Sequence, residues 1–261
     1  MDFIKIRQYL HQHPETSDNE KETAIFINQK LKQIGIEKIE NNFFEAGILA
    51  KIDSGKPGKT ILFRAELDAL PIQEINEDLP YKSTVDGVSH KCGHDGHMTI
   101  LLGLAERLIN DKPKEGKILL LFQPSEENGR GAEGIIASKI LENYSIDFVF
   151  ALHNIPGYPL GSVICKPGSF TPSVESLDIK MIGKTSHAGM PEKGVNPSEA
   201  IAGLIRFYND LHQPDVEKED YFLSSPVQIR MGEPAYGTAA GDGLISYTFR
   251  SFDYKFFKKQ K

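Results

Sequence analysis

Apolar residues repeat with two different periods along this chain. Phe3, Ile6 and Leu10 fall on one helical face, and a second stripe of Ala24, Ile27, Leu31 and Ile34 predicts another helix. Ser17 and Glu20 have capping-box spacing ahead of that helix, and Gly35 stands where it should end. Gly47 to Asp53 and Lys59 to Glu66 read as strands; Ser54-Gly55-Lys56-Pro57-Gly58 between them has turn composition, so a hairpin is expected.

Helix and strand patterns then alternate. A helix is expected from about His97 to Ile109, a strand from Lys117 to Phe122, a helix from about Ala132 to Leu141 and a strand from Ile146 to Leu152. Ile118 to Phe122 and Phe148 to Leu152 are continuously apolar, as strands are when helices cover both faces of a parallel sheet. After Pro172 the order becomes strand (Glu175 to Ile182), helix (Pro197 to Leu211), two strands (Pro226 to Met231, Leu244 to Arg250) and a final helical start. That order suits a separate small α+β domain. The expected division is therefore 1–171 and 172–261, an α/β domain followed by an α+β one.

Composition acts by exclusion. With 261 residues, 39% hydrophobic and 25% charged, the chain has ordinary globular make-up rather than that of a disordered or collagenous protein. No run approaches the roughly 18 apolar residues of a membrane span. The start Met1-Asp2-Phe3-Ile4-Lys5 lacks a basic region followed by an apolar one, so a soluble, unexported protein is expected. Lys plus Arg number 30 against 36 Asp plus Glu, for a net charge of -6, which disfavours nucleic-acid and anionic-membrane partners and leaves small molecules or peptides. Two cysteines, Cys92 and Cys165, make no disulfide framework and point to a cytoplasmic protein. The basic ending Lys255, Lys258, Lys259 and Lys261 reads as a solvated helix face.

The chemistry gathers at strand ends. His90-Lys91-Cys92-Gly93-His94-Asp95-Gly96-His97 puts a thiol, imidazoles and a carboxylate just before a helix. Cys92 and His94 are two apart, so in extended backbone they face the same way, as borderline-soft donors to one ion. Glu126 and Glu127 follow the apolar strand through Gln123-Pro124-Ser125, where open α/β sheets place their sites. Adjacent side chains in extended backbone point in opposite directions, so one carboxylate is expected to bind metal and the other to face the activated water. His153 ends the next buried strand. Taken singly these are a helix-entry pair, a solvated loop and a core histidine; their convergence favours a metal site. A cysteine nucleophile at Cys92 activated by His94 is the alternative, but residues two apart rarely reach attack geometry, and the glutamates and His153 would have no task.

These residues resemble the amidohydrolases of the M20 metallopeptidase group, in the branch containing hippurate, indole-acetyl-amino-acid and N-acyl-amino-acid hydrolases. The resemblance rests on Leu10-His11-Gln12-His13-Pro14-Glu15, Arg64-Ala65-Glu66-Leu67-Asp68-Ala69-Leu70-Pro71-Ile72, Cys92-Gly93-His94-Asp95-Gly96-His97, Gln123-Pro124-Ser125-Glu126-Glu127, Leu152-His153-Asn154 and Gly183-Lys184-Thr185-Ser186-His187-Ala188-Gly189-Met190-Pro191. It implies a zinc-peptidase-like α/β catalytic domain with a mostly parallel sheet and helices on both faces, and a small ferredoxin-like lid and dimerisation domain. It further implies that Cys92, His94, Glu127 and His153 bind a pair of zinc or manganese ions, that Glu126 is the general base, and that Asp68 orients a ligand. His187, in dimeric relatives, reaches an active site from the partner subunit and polarises the scissile carbonyl. The expected activity is hydrolysis of N-acyl amino acids or related small amides and peptides, by a homodimer in the full-length form. Glu66 stands where most of the branch has Asp, and Asp95 and His97 read as supports of the loop and helix start. Family members continue beyond the equivalent of Lys261 with a segment carrying a further metal-ligand histidine; His212 matches no motif, so the chain is expected to lack its carboxyl-terminal part. A catalytically inactive dimerisation or binding module is the second expectation on that ground.

Overall fold

Helix α1 (Phe3–Gln12) is followed by α2 (Lys21–Ile34), which ends at Gly35 in the left-handed conformation, φ 99°. The strands and helices after them are β1 (Lys38–Phe43), β2 (Gly47–Asp53), β3 (Thr60–Glu66), α3 (His94–Asn110), β4 (Lys117–Gln123), α4 (Arg130–Ser138) and β5 (Phe148–Ala151). The computed structural model describes residues 1–253; the expected final helical start and Lys255, Lys258, Lys259 and Lys261 lie outside the described residues. The chain divides into two compact units, Met1–Tyr158 and Pro159–Lys261.

The sheet of the first unit runs β1-β2-β4-β3-β5. β3 is parallel to β4 and β5, whereas β2 is antiparallel to β1 and β4, so the sheet is mixed and not mostly parallel. β2 and β3 are not a hairpin: β4, the most continuously apolar strand, lies between them, because the strand buried on both faces belongs at the sheet centre. The hairpin is instead β1–β2, turned by Phe44 and Glu45 at positive φ, a conformation neither residue advertises.

Helices do cover both faces, and alternation along each strand decides which residues meet them. Ile48, Ala50, Ile118 and Leu120 pack with Ile27 and Leu31 of α2 and Leu102 of α3, while Leu49, Leu119 and Leu121 face the other way with Ile135 of α4. β5 departs from the expected two-sided burial. Among the described residues it pairs with β3 alone, and Phe148, Val149 and Phe150 are each more than half exposed.

Ser17 and Glu20 do not form a capping box. Glu15 accepts the N–H groups of Glu22 and Thr23 at 3.3 and 2.8 Å and caps α2 from outside it, which frees the other two side chains.

In the second unit, β6 (Ser173–Ile182), β8 (Leu223–Met231) and β10 (Asp242–Ser251) form an antiparallel sheet in the order β6-β10-β8. Helix α5 (Ser198–Leu211) packs Ile201 and Tyr208 against Phe222, Ile245, Tyr247 and Phe249. A short ladder joins β7 (Ser186–His187) to β9 (Thr238–Ala239). No helix among the described residues is long and apolar enough to cross a membrane.

Candidate metal centre

The carboxyl ends of β3, β4 and β5 lie side by side, and each delivers part of one cluster in the first unit. Asp68 lies just past β3, Glu126 and Glu127 past β4, and His153 past β5. Cys92 and His94 arrive from the loop that opens α3, where Gly93 sits at φ 98° in the left-handed region that favours glycine. A Cβ at Gly93 would collide with the Asn154 side chain, so the loop also needs glycine for close approach.

Two imidazoles are oriented alike. His94 Nδ1 lies 2.7 Å from the Asp68 carbonyl and donates to it, which leaves the buried Nε2 without a hydrogen-bond partner. His153 Nδ1 donates to the Asn154 carbonyl at 2.9 Å, and its Nε2 lies 3.3 Å from Cys92 Sγ. Carboxylate oxygens of Glu126 and Glu127 each stand 3.8 Å from His94 Nε2. Cys92, His94 and His153 offer donor atoms within 4.8 Å of one another, and so do His94, Glu126 and Glu127. His94 belongs to both groups and, with Nδ1 engaged by the Asp68 carbonyl, has one lone pair to offer a cation.

The two glutamates do not point in opposite directions. The chain bends after Gln123, and Ser125, at φ 50°, turns the segment so that both carboxylates reach His94.

Electrostatics favours a positive charge at this spot. Burial opposes protonation of His94, but Asp68, Cys92 and Glu66 outweigh it and push its pKa up to about 11. Burial likewise raises the Asp68 carboxyl, yet bonds from His94, the Glu127 N–H and Ser17 hold it at about 2. Burial, then the neighbouring Glu127, raise Glu126 above the usual carboxylate range. The Cys92 thiol is drawn down by His94, but burial and Glu127 outweigh this and leave it raised. A pocket that stabilises an imidazolium so strongly, with an unpartnered buried nitrogen and a soft–hard donor set, fits a divalent cation.

The order of residues singled out His97 and Glu66 without showing that they are joined. His97 Nδ1 donates to Glu66 Oε2 at 2.8 Å, and its Nε2 lies 2.7 Å from Asn154 Oδ1 and 3.2 Å from the Asn154 nitrogen; Glu66 also pairs with Arg64. The longer Glu66 thus has a definite partner. Asp95 turns away from the cluster toward Arg7 and His11, at 2.9 and 2.8 Å. His187 lies in the second unit, exposed, with its Nδ1 accepting the Gly189 N–H at 3.0 Å, so a neutral ring carries its proton on Nε2. His212 Nδ1 accepts the Ser224 N–H at 3.3 Å.

A parallel strand trio that presents a thiol, imidazoles and paired carboxylates at one end has the donor set of a candidate metal centre. The profile of peptidase family M20/M25/M40 matches residues 62–252, and the chain belongs to this family. It is 42% identical to N-acetyl-L-cysteine deacetylase of Bacillus subtilis strain 168, over 96% of this chain and 59% of that protein. It is 39% identical to hippurate hydrolase of Campylobacter jejuni, over 97% of this chain and 65% of the other. A crystal structure of a dinuclear metal-binding peptidase from the M20 family of Bacillus subtilis aligns with a TM-score of 0.73 at 29% identity, over 98% of this chain and 65% of that one. The chain thus spans about three-fifths of the length of these relatives.

Proposed function

We propose that this protein hydrolyses the amide bond of N-acyl amino acids or related small amides and peptides, with Cys92, His94, Glu127 and His153 holding a pair of zinc or manganese ions. The observation that carries this reading is the convergence of both glutamates on the unpartnered His94 Nε2, beside Cys92 and His153. The relatives' names, a deacetylase and a hippurate hydrolase, supply the substrate class.

Bound cations would supply Lewis acidity and lower the pKa of water to near neutrality. The chain's own residues do the rest. Glu126, raised by burial, takes a proton on a carboxylate oxygen and returns it to the departing amine nitrogen. Asp68 holds His94 in the tautomer that turns its Nε2 lone pair toward the glutamates. By the resemblance, His187, in a lid and dimerisation domain, would offer its Nε2–H to the developing oxyanion in a partner subunit's site of the full-length dimer, the Gly189 N–H holding Nδ1 as acceptor. The free thiols of Cys92 and Cys165 suit a cytoplasmic setting.

A cysteine-nucleophile mechanism is disfavoured because the Cys92 thiol is raised, the wrong direction for a reactive thiolate. An inactive binding module is the second reading, since the donor cluster would hold a metal ion whether or not turnover follows. Purified protein assayed on N-acetylcysteine and N-benzoylglycine, before and after chelation and with zinc or manganese restored, separates them. Chelator-sensitive release of acid and amino acid is expected; metal uptake with no hydrolysis of either substrate would favour the binding module.

A further inference from the structure

Ser17 and Glu20 look from their spacing like helix caps, yet Glu15 does that work and both side chains turn to the site. Glu20 is 1% exposed, and its Oε1 accepts the Ser125 N–H at 2.6 Å across 105 residues of chain; the Ser125 hydroxyl has Asp18 Oδ1 at 3.1 Å and Glu20 Oε1 at 3.3 Å as acceptors. Ser125 Oγ also accepts the Asp18 N–H at 2.9 Å. Ser17 Oγ donates to Asp68 Oδ2 at 2.7 Å, the same oxygen that accepts the Glu127 N–H at 2.9 Å. The segment before α2 therefore grips the Ser125 turn on one side and the Glu127 backbone, through Asp68, on the other.

Ser125 is a non-glycine residue at φ 50°, in the left-handed backbone region that side chains disfavour. It persists only if the surroundings hold it. The turn matters because it replaces the opposite directions of an extended Glu126-Glu127 pair with a shared approach to His94. We infer that Glu20, with Ser17 beside it, is a positioning brace: its carboxylate oxygen holds Ser125 in the turn that brings both glutamates to His94. The chemistry of those glutamates rests on the hydrolase reading above, whereas the brace is a statement about Ser125 alone.

The test compares Glu20→Gln, which keeps an acceptor for the Ser125 N–H, with Glu20→Ala, which removes it, at neutral pH. Two readouts are taken: hydrogen exchange of the Ser125 amide in metal-free protein, and titration with cobalt(II) followed by its visible absorption bands. Glu20→Ala should lose Ser125 protection, weaken cobalt binding by about 10-fold or more, as loss of a ligand-orienting group typically does, and alter the bands. Glu20→Gln should restore all three. If Glu20→Ala does not fold, Glu20→Asp, too short to reach, replaces it with the same expectation. Unchanged Ser125 protection, an unchanged cobalt affinity and spectrum in Glu20→Ala, or a Gln variant as impaired as the Ala one, each overturns the brace. If the unsubstituted protein binds no cobalt, the metal reading fails and the Ser125 amide alone decides the brace.

Discussion

Cys92 Sγ and His153 Nε2 lie 3.3 Å apart although 61 residues separate them in the chain. The His153 ring is oriented by the Asn154 carbonyl on Nδ1, so the nitrogen facing the thiol is the unprotonated one of the neutral ring. Thiol and lone pair meet where a soft cation would replace the thiol proton. Zinc or manganese added to purified protein should therefore bind stoichiometrically, and at a free concentration near 100 times the dissociation constant should stabilise it by about 2.7 kcal/mol. Elemental analysis and thermal melting check this; no bound metal and an unmoved melting temperature would remove the site.

Glu126 and Glu127 are equidistant from His94 in this structure, so their division of labour has to be tested by substitution. Glu126→Gln is expected to retain metal and to lower turnover by roughly 10²-fold or more, the usual contribution of a general base. Glu127→Gln should instead lose metal, since an amide is a poorer ligand than a carboxylate. Metal content and steady-state rates of the two variants, side by side, decide the matter, and equal metal loss in both would count against it.

His11 sits between Asp95 Oδ2 at 2.8 Å and Glu74 Oε2 at 3.2 Å, both ring nitrogens donating, with Tyr81 edge-on and Arg7 and Lys91 on the far sides of the carboxylates. Its pKa is raised chiefly by Asp95, against burial, with help from Glu74. A raised folded pKa contributes stability that is complete below the unfolded value near 6.5 and is lost as pH rises through the folded one. His11→Asn should thus destabilise the protein by about 2 kcal/mol at pH 6, as loss of charged hydrogen bonds does, and by less at pH 9. Urea unfolding at the two pH values measures the difference, and a deficit that grew with pH would contradict the assignment.

Gly93→Ala meets two obstacles, a left-handed backbone costing roughly 1–2 kcal/mol for other residues and a collision with the Asn154 side chain. Displacing Asn154 disturbs the 2.7 Å contact of its Oδ1 with His97 Nε2 and the carbonyl that orients His153. Lower thermal stability and weaker zinc binding are both expected. A Gly96→Ala control, at a position where an added Cβ meets nothing within 4 Å, should show neither.

Much of this was legible in the order of residues. The stripes of α1 and α2 and the unbroken apolar run of β4 have periods that local chemistry dictates, and the placing of Glu126, Glu127 and His153 at strand ends, with Cys92 and His94 at the start of α3, follows from where those elements stop and begin. The end of α2 at Gly35 follows from glycine's freedom at positive φ. These features depend on neighbours a few residues away.

Only the tertiary structure decided the rest. β4 displaced β3 as the partner of β2 because strand order is a competition for the buried centre, and no local signal records who wins. β5 has the same apolar composition as β4 but lies exposed at the edge, since burial belongs to position in the sheet and not to the strand. Ser17 and Glu20 carry the spacing of a cap and serve a turn 105 residues away from Glu20, because a side chain bonds to the groups nearest in space. The shared approach of Glu126 and Glu127 to His94 has the same origin: a single strained dihedral at Ser125, held by distant partners, overrides the alternation that an extended backbone would impose.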